Sequence, residues 1–275
     1  MTKLFVIVLN FNNGKDIITC LQFLIKSCPR VNTIVVDNGS TDGSMEKILK
    51  QVQDDNRNLK IIENKRNLGF AKGMNKGIRF ALKKGAERVL LLNPDTEVNK
   101  GFLEPLLTNK ADVVGPIIKF KRKGQWVYDF GGKVNWWLGR SYHLEDFHLG
   151  GVMASLRSAC HHPRCMSIDY VSGACMLIRR KVFGKIGLLD ERYFLFFEDA
   201  DFCLRAQKTG FKVALEPKSM ILHKLSEGKK KPLYCLYHLI RSNLIFVNTW
   251  LPFYRRPLAY LYLVALGFKM LLNRL

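Results

Sequence analysis

Residues 3–13 read KLFVIVLNFNN, and residues 33–42 read TIVVDNGSTD. Each is a continuous apolar run that stops abruptly on Asn, Asp, Ser and Gly. A run without polar alternation is what a strand buried on both faces requires, and such strands belong to parallel sheets covered by helices. The pattern repeats. LKII at 59–62 is a short third strand followed by Asn64 to Gly69, and RVLLL at 88–92 is a fourth that stops on Asn93-Pro94-Asp95. Between them lie helical patterns over Asp16 to about Ser27, Ser44 to about Gln53 and Ala71 to Lys84. Strand and helix alternating over a hundred residues predict an α/β, Rossmann-like, doubly wound sheet. In such sheets ligands bind beyond the carboxyl ends of the strands, where all of these polar clusters fall.

Composition narrows the class. The chain has 275 residues, 48% of them hydrophobic, enough for one large domain with a full core. Lys and Arg number 44 against 23 Asp and Glu, a net charge of +21 that favours anionic partners. The usual nucleic-acid reader motifs are lacking and the basic residues are spread along the chain, so nucleic acid is not the expected partner. The seven Cys form no evident disulfide framework, and Met1 to Asn10 reads as a first strand, not a signal peptide. A reducing cytoplasmic compartment with free thiols follows as the expectation. No apolar stretch reaches the ~20 residues that span a bilayer; the nearest is Leu258 to Phe268.

Further along, residues 111–170 read as sheet extensions and loops. YVSGACMLIRR from Tyr170 is strand-like, with Ser172-Gly173-Ala174 at a strand end. KVFGKIGLLD is a short helix and turn, FEDADFCLRAQKTG a helix, and FKVALEP a strand that His223 follows. Asp201 and Arg205, spaced i,i+4, are set to form an ion pair. Cys160, His161, His162 and Cys165 have a spacing that is not a usual zinc set and lack a second half, so they read as a loop. Residues 232–275 look helical, aromatic and basic, and are divided by Pro252 and Pro257.

Six blocks in order, VIVLNFN, VVDNGSTDGS, NLGFAKGMNKGI, LLNPDTEV, the stretch from VSGACMLIRR through FFEDADFCLRAQKTGFKV, and a following His223, resemble the family-2 glycosyltransferases and their rhamnosyltransferase-like branch over roughly residues 3–225. The resemblance implies the GT-A fold, a mixed and mainly parallel sheet flanked by helices. It implies a catalytic domain over 1–230, with 231–275 as a C-terminal helical extension. The implied reaction is inverting transfer of a sugar, rhamnose among the candidates, from a dTDP- or UDP-sugar to a hydroxyl of a glycan or lipid-linked acceptor, for cell-surface polysaccharide.

The implied roles fall residue by residue. Asp37 accepts from the N3–H of a uracil or thymine ring, with Asn10 and Asn12 lining the base and ribose; the same residues would also make an ordinary Asx turn. Asn67, Gly69 and Gly73 open a helix beside the nucleotide, although close helix–sheet packing explains small residues there equally. Asp95 and His223 hold Mg²⁺ or Mn²⁺ against the diphosphate. Asn93 departs from the family's Asp-x-Asp signature and offers only a neutral oxygen or a ribose contact. That departure keeps one alternative open, a protein of the same fold that binds sugar nucleotide or glycan without turnover. Asp199 is the general base. Glu198, Asp169, Ser172, Gly173 and Ala174 line the donor and acceptor sugars. Lys224 and Lys229 to Lys231 suit a diphosphate, a membrane or plain solvent. The C-terminal segment suits either a peripheral contact with the inner face of the cell membrane or packing on the domain and in a dimer.

Overall fold

The computed structural model describes residues 3–49, 58–147, 168–224 and 233–272. Ten strands form a single sheet: β1 (Leu4–Asn10), β2 (Asn32–Asp37), β3 (Leu59–Glu63), β4 (Arg88–Leu92), β5 (Thr96–Val98), β6 (Val113–Arg122), β7 (Gln125–Asn135), β8 (Arg140–Asp146), β9 (Cys175–Arg179) and β10 (Val213–His223). Their order is β3-β2-β1-β4-β9-β6-β10-β5, with β7 on β6 and β8 on β7. The first four strands are parallel, as their sequence pattern requires. Beyond β4 the sheet is mixed, because β9 runs antiparallel to both β4 and β6 while β10 is parallel to β6. This is the α/β architecture expected.

The uninterrupted apolar runs are explained by helices on both faces. In β1, Phe5, Ile7 and Leu9 pack with Ala71, Met74 and Ile78 of α3 (Phe70–Lys83). Leu4, Val6 and Val8 point the other way, against Ile17, Leu21 and Leu24 of α1 (Gly14–Ser27). Successive residues of a strand face opposite sides, so a strand sandwiched between helices has no solvent face to mark with polar residues. Truncating Ile7, fully buried, to Ala would cost roughly 2–5 kcal/mol.

The remaining helices are α2 (Ser44–Ile48), α4 (Leu103–Thr108), α5 (Arg180–Ile186), α6 (Glu198–Lys208), α7 (Leu233–Trp250) and α8 (Arg256–Leu272). α2 ends at Ile48 among the described residues; the rest of its expected span to Gln53 lies outside them, as do Cys160, His161, His162, Cys165 and Lys229 to Lys231. The C-terminal segment is divided at Pro252 alone. Pro257 sits in the first turn of α8, where its missing N–H is an orphan in any case.

Two strand boundaries correct the sequence reading. Ser172-Gly173-Ala174 does not end a strand; it is the turn that precedes β9. Because β9 is antiparallel to β4, its beginning lies at the carboxyl edge of β4, so the turn still reaches the ligand-binding edge. His223 does not follow the strand but is its last residue, since β10 continues through an irregularity between Glu216 and Met220 and pairs with β5 up to Thr96. The five cysteines described are free, and burial pushes the Cys20 thiol up to about 12. Cys20, Cys175 and Cys203 are buried core residues, while Cys28 and Cys235 are part-buried.

Candidate active site

Four strand ends carry an Asn at or just beyond the last residue: Asn10, Asn38, Asn64 and Asn93. Three of them tie the edge of the sheet together. Asp37 is buried, and its two oxygens accept four hydrogen bonds: from Asn10 Nδ2 at 2.9 Å and Ser40 Oγ at 2.6 Å on one side, and from the Gly39 and Ser40 amides at 3.0 and 2.9 Å on the other. Asn10, fully buried, also donates to Ser40 and Ser44. Asn12 takes a left-handed conformation and accepts from the Thr41 amide. These residues are where the sequence places them, and most of their polar atoms are engaged with one another; buried Asn10 Oδ1 alone is left without a partner among them.

The third block is engaged in the same way. Asn38 donates to Asn67 Oδ1 and the Gly69 carbonyl and accepts from Asn64, a ladder that links β2, β3 and the start of α3. Gly69 has φ +82, and a Cβ there would stand 2.5 Å from the Phe194 carbonyl oxygen, which accepts from the Phe70 amide. A Cβ at Gly73 would meet Leu9 Cδ1 at 2.6 Å, so α3 needs glycine to approach β1. Asn75, also buried, donates to the Leu189 carbonyl and to Glu191 and accepts from the Leu189 amide. The NLGFAKGMN block therefore fastens the 189–194 segment, the lead-in to α6.

Two acidic centres sit at the carboxyl edge. At the first, Asp95 Oδ1 and His223 Nε2 are 2.9 Å apart, with side chains 24% and 14% exposed. β10 delivers His223 beside the loop after β4, and the Lys224 amide donates to the Asp95 carbonyl. A carboxylate oxygen and an imidazole nitrogen are both ligands that Mn²⁺ or Mg²⁺ accepts. Among the described residues no group of three or more His, Cys, Asp or Glu gathers to hold a metal. The pair fits a metal that takes its remaining ligands from a diphosphate and water. Asn93 uses its backbone: the amide donates to the Ala174 carbonyl at 2.9 Å, and the carbonyl accepts from Thr96.

At the second centre, Asp199 accepts from the Gly173 amide at 2.9 Å and is part-exposed. Its neighbour Glu198 is 6% exposed, and Oε2 has no hydrogen-bond partner. Burial, with the Asp199 charge adding to it, pushes the Glu198 carboxyl well above the ordinary carboxylate range. Phe196 and Phe197, directly before α6, both have φ near +70, a conformation that costs bulky residues about 1–3 kcal/mol each. The backbone turns sharply to present α6 at this point. The expected Asp201–Arg205 pair forms at 2.8 Å. Two hydrogen bonds join the centres: Asn93 to Ala174, and Gly173 to Asp199.

Asp169 faces away from this arrangement in its bonding, since Oδ2 accepts from the Val134 amide at 2.7 Å. Ser172 Oγ accepts from the Ala174 amide at 3.3 Å. A pair that the sequence did not reveal lies behind it. Asp129 accepts from the Gly131 amide and holds His143 Nδ1 at 2.8 Å, with His143 edge-on to buried Tyr170. Burial opposes the charge on His143, but the Asp129 contact and the Asp199 and Glu145 charges outweigh it and hold the imidazolium up to about 9. A cavity of about 560 Å³ opens at the far end of β4 and β9, lined by Glu87, Arg88, Arg179, Arg180, Lys181 and Gly184. Its guanidiniums are bound to backbone carbonyls, Arg179 to Asn109 and Ala111 and Arg180 to Leu82 and Ala86, and so serve as caps.

The fold is that of the GT-A glycosyltransferases. The chain belongs to Glycosyl transferase family 2, which it matches over residues 5–187. It is 25% identical over 245 residues to the N-acetylglucosaminyl-diphospho-decaprenol L-rhamnosyltransferase of Mycobacterium tuberculosis, covering 79% of this chain and 75% of that protein. It is 24% identical over 203 residues to the dTDP-rhamnosyl transferase RfbF of Shigella flexneri, covering 72% and 61%. In fold it is similar to GalNAc-T7, solved with UDP, GalNAc and Mn²⁺, at a TM-score of 0.67 and 17% identity. That match covers 91% of this chain, which spans about half the length of that structure (48%).

Proposed function

We propose that this chain is an inverting, divalent-metal-dependent transferase that moves a sugar from a dTDP- or UDP-sugar to a hydroxyl of a glycan or lipid-linked acceptor in cell-surface polysaccharide synthesis. The likeness to two rhamnosyltransferases favours dTDP-rhamnose as donor. The observation that carries the reading is the junction between the acidic centres. A metal–diphosphate corner at Asp95 and His223 and a part-exposed carboxylate at Asp199 are two hydrogen bonds apart through Asn93, Ala174 and Gly173.

Asp199 is the base. The acceptor hydroxyl gives up its proton to this carboxylate as its oxygen bonds to the anomeric carbon. The bond from that carbon to the diphosphate oxygen breaks, and the nucleoside diphosphate leaves. A single displacement of this kind inverts the anomeric configuration. A metal bound by Asp95 and His223 would supply charge neutralisation for the leaving diphosphate. Glu198 is buried and so shielded from an acceptor, and the role of base falls to its part-exposed neighbour Asp199. The Asp37 cluster shapes the nucleotide end; with all four hydrogen bonds already made, it works as a rigid wall whose carboxylate is set by Asn10 and Ser40. Gly173 keeps the wall beside Asp199 free of a side chain where the sugar would lie. Residues 1–230 form the catalytic domain in this reading, and the helical pair that follows serves a peripheral membrane contact.

The test is release of nucleoside diphosphate from a panel of UDP- and dTDP-sugars, with Mn²⁺, Mg²⁺ or EDTA. Metal-dependent release from one donor supports the reading and names the sugar. Failure to release or to bind any donor overturns it.

A further inference from the structure

α7 and α8 are attached to the domain in unequal ways. α7 buries Leu236, Ser242, Asn243, Phe246 and Val247 against it. α8 packs against α7 with Ala259 and Leu263 buried and turns one stripe of its apolar surface outward. Leu258, Leu261, Val264, Phe268 and Leu272, spaced by three or four residues, form one stripe on the outer face, each between 48% and 69% exposed. Phe253, in the turn before α8, is 79% exposed. An amphipathic helix normally buries such a stripe. A continuous exposed one marks a surface that is covered by something else.

Charge says what covers it. Residues 228–275 contain eight Lys or Arg and no Asp or Glu. Arg255 and Arg256 lie at one end of α8 and Lys269 near the other. A second copy of the chain would set this acid-free, cationic segment against itself. An anionic bilayer supplies the opposite sign, takes up the apolar stripe, and lets exposed Lys269 reach the headgroups, while Arg255 and Arg256, tied to the Trp136, Leu251 and Asn248 carbonyls, add to the positive field beside it. Tyr254 and Tyr260, beside the stripe, are suited to the same boundary. No helix among the described residues is long and apolar enough to cross a membrane, so a helix of this kind lies in the interface.

We propose that the outer face of α8, together with the Phe253–Tyr254 turn, seats this protein on an anionic lipid bilayer. The surface is part of one packed unit with the helix that carries Asp199. Trp250 Nε1 donates to Asp201 at 2.9 Å, Ser242 Oγ donates to the Leu195 carbonyl at 2.8 Å, and Phe246 packs on Phe197 with ring centroids 5.1 Å apart. Docking would therefore hold α6 at a fixed relation to the lipid, where a hydroxyl on a lipid-linked acceptor is presented. That use rests on the glycosyltransferase reading above; the surface itself does not.

The experiment is sedimentation of the whole protein with vesicles of phosphatidylglycerol and phosphatidylcholine, or of phosphatidylcholine alone. The protein is expected to bind the anionic vesicles at least about tenfold more tightly, with binding weakened by salt. The variant Phe253→Ser/Leu261→Ser/Phe268→Ser should lose about tenfold or more, with an unchanged thermal midpoint because all three positions are exposed. Lys269→Gln should weaken binding roughly fivefold. Wild-type binding retained in the triple variant, or no binding of the wild type to anionic vesicles, overturns the proposal. So does light scattering that shows a wild-type dimer and a monomeric triple variant. Donor hydrolysis is read in the same samples. Its absence counts against the enzyme reading and leaves the vesicle result to decide the surface.

Discussion

Asp37 and Glu198 are both carboxyls buried at the carboxyl edge of the same sheet, and they live in opposite conditions. Asp37 is 3% exposed and accepts four hydrogen bonds; Glu198 is 6% exposed, has an oxygen without a partner and follows two residues with φ near +70. The Asp37 carboxylate is closed: both of its oxygens are used up in holding β1, β2 and the turn after β2, and the one atom left over in the cluster is the neutral Asn10 Oδ1. The Glu198–Asp199 region is open: it carries strain and an unsatisfied group, and its other carboxylate is part-exposed beside a glycine. Unfavourable features persist only where the surroundings enforce them, and they gather where chemistry needs a group in a position that folding alone would not choose. On the proposed reading, the closed carboxylate serves architecture and the open region serves the reaction.

The largest expected effect lies in the open region. Asp199→Asn keeps the size of the side chain and an oxygen for the Gly173 amide, but removes the ability to take a proton. Transfer should fall by roughly 10³-fold, within the range of lost general bases, while the thermal midpoint moves by no more than about 2 °C. Steady-state rates and a melting curve on the same preparation check this. Retained transfer would remove the base assignment, and a fall that only tracks lost stability would erase the distinction between the two regions.

The closed region should show the reverse. Asp37→Ala takes the acceptor from the part-buried amides of Gly39 and Ser40 and one of the bonds from buried Asn10, which keeps Ser40 and Ser44, at a cost of about 2–4 kcal/mol to stability. Urea unfolding measures it. A loss below about 1 kcal/mol would mean that the cluster does not hold this edge, and that Asp37 is free to serve a nucleotide instead.

Legibility in the sequence follows the same division. The first four strands were readable because burial on both faces leaves a run of apolar residues with a polar stop, a signal contained in a dozen neighbouring letters. The alignment of Asp95 with His223 and the pairing of Asp201 with Arg205 were anticipated from motif order and helical spacing. What the letters did not carry were partnerships set by the path of the chain. Asn75 fastens Leu189 more than a hundred residues away, and Asp129 holds His143 across a bulged hairpin. The direction of β9 turned Ser172 to Ala174 from a strand end into a strand beginning. One signal was present and unused: an Asn at the end of each of the first four strands, three of which form the network around Asp37 and Asn38.

The smallest expected effect is the sharpest test of the open region, because it is read as a slope. Burial and the Asp199 charge raise the Glu198 carboxyl in the folded state, whereas the unfolded chain returns it to about 4.3. The folded state therefore holds this proton more tightly. Its contribution to stability is fully present below about pH 4 and is lost as pH rises toward the folded value, by at most about 1.4 kcal/mol per pH unit. Glu198→Gln keeps the shape of the neutral acid and cannot titrate. The two proteins should be within about 1 kcal/mol of each other at pH 4, and the variant should gain on the parent as pH rises to 8. Groups remote from the site titrate alike in both, so the difference between the two stability curves isolates Glu198 together with the Asp199 charge it is coupled to. Parallel curves would show that Glu198 reaches a partner or water in solution, and the region would then be no more open than the one around Asp37.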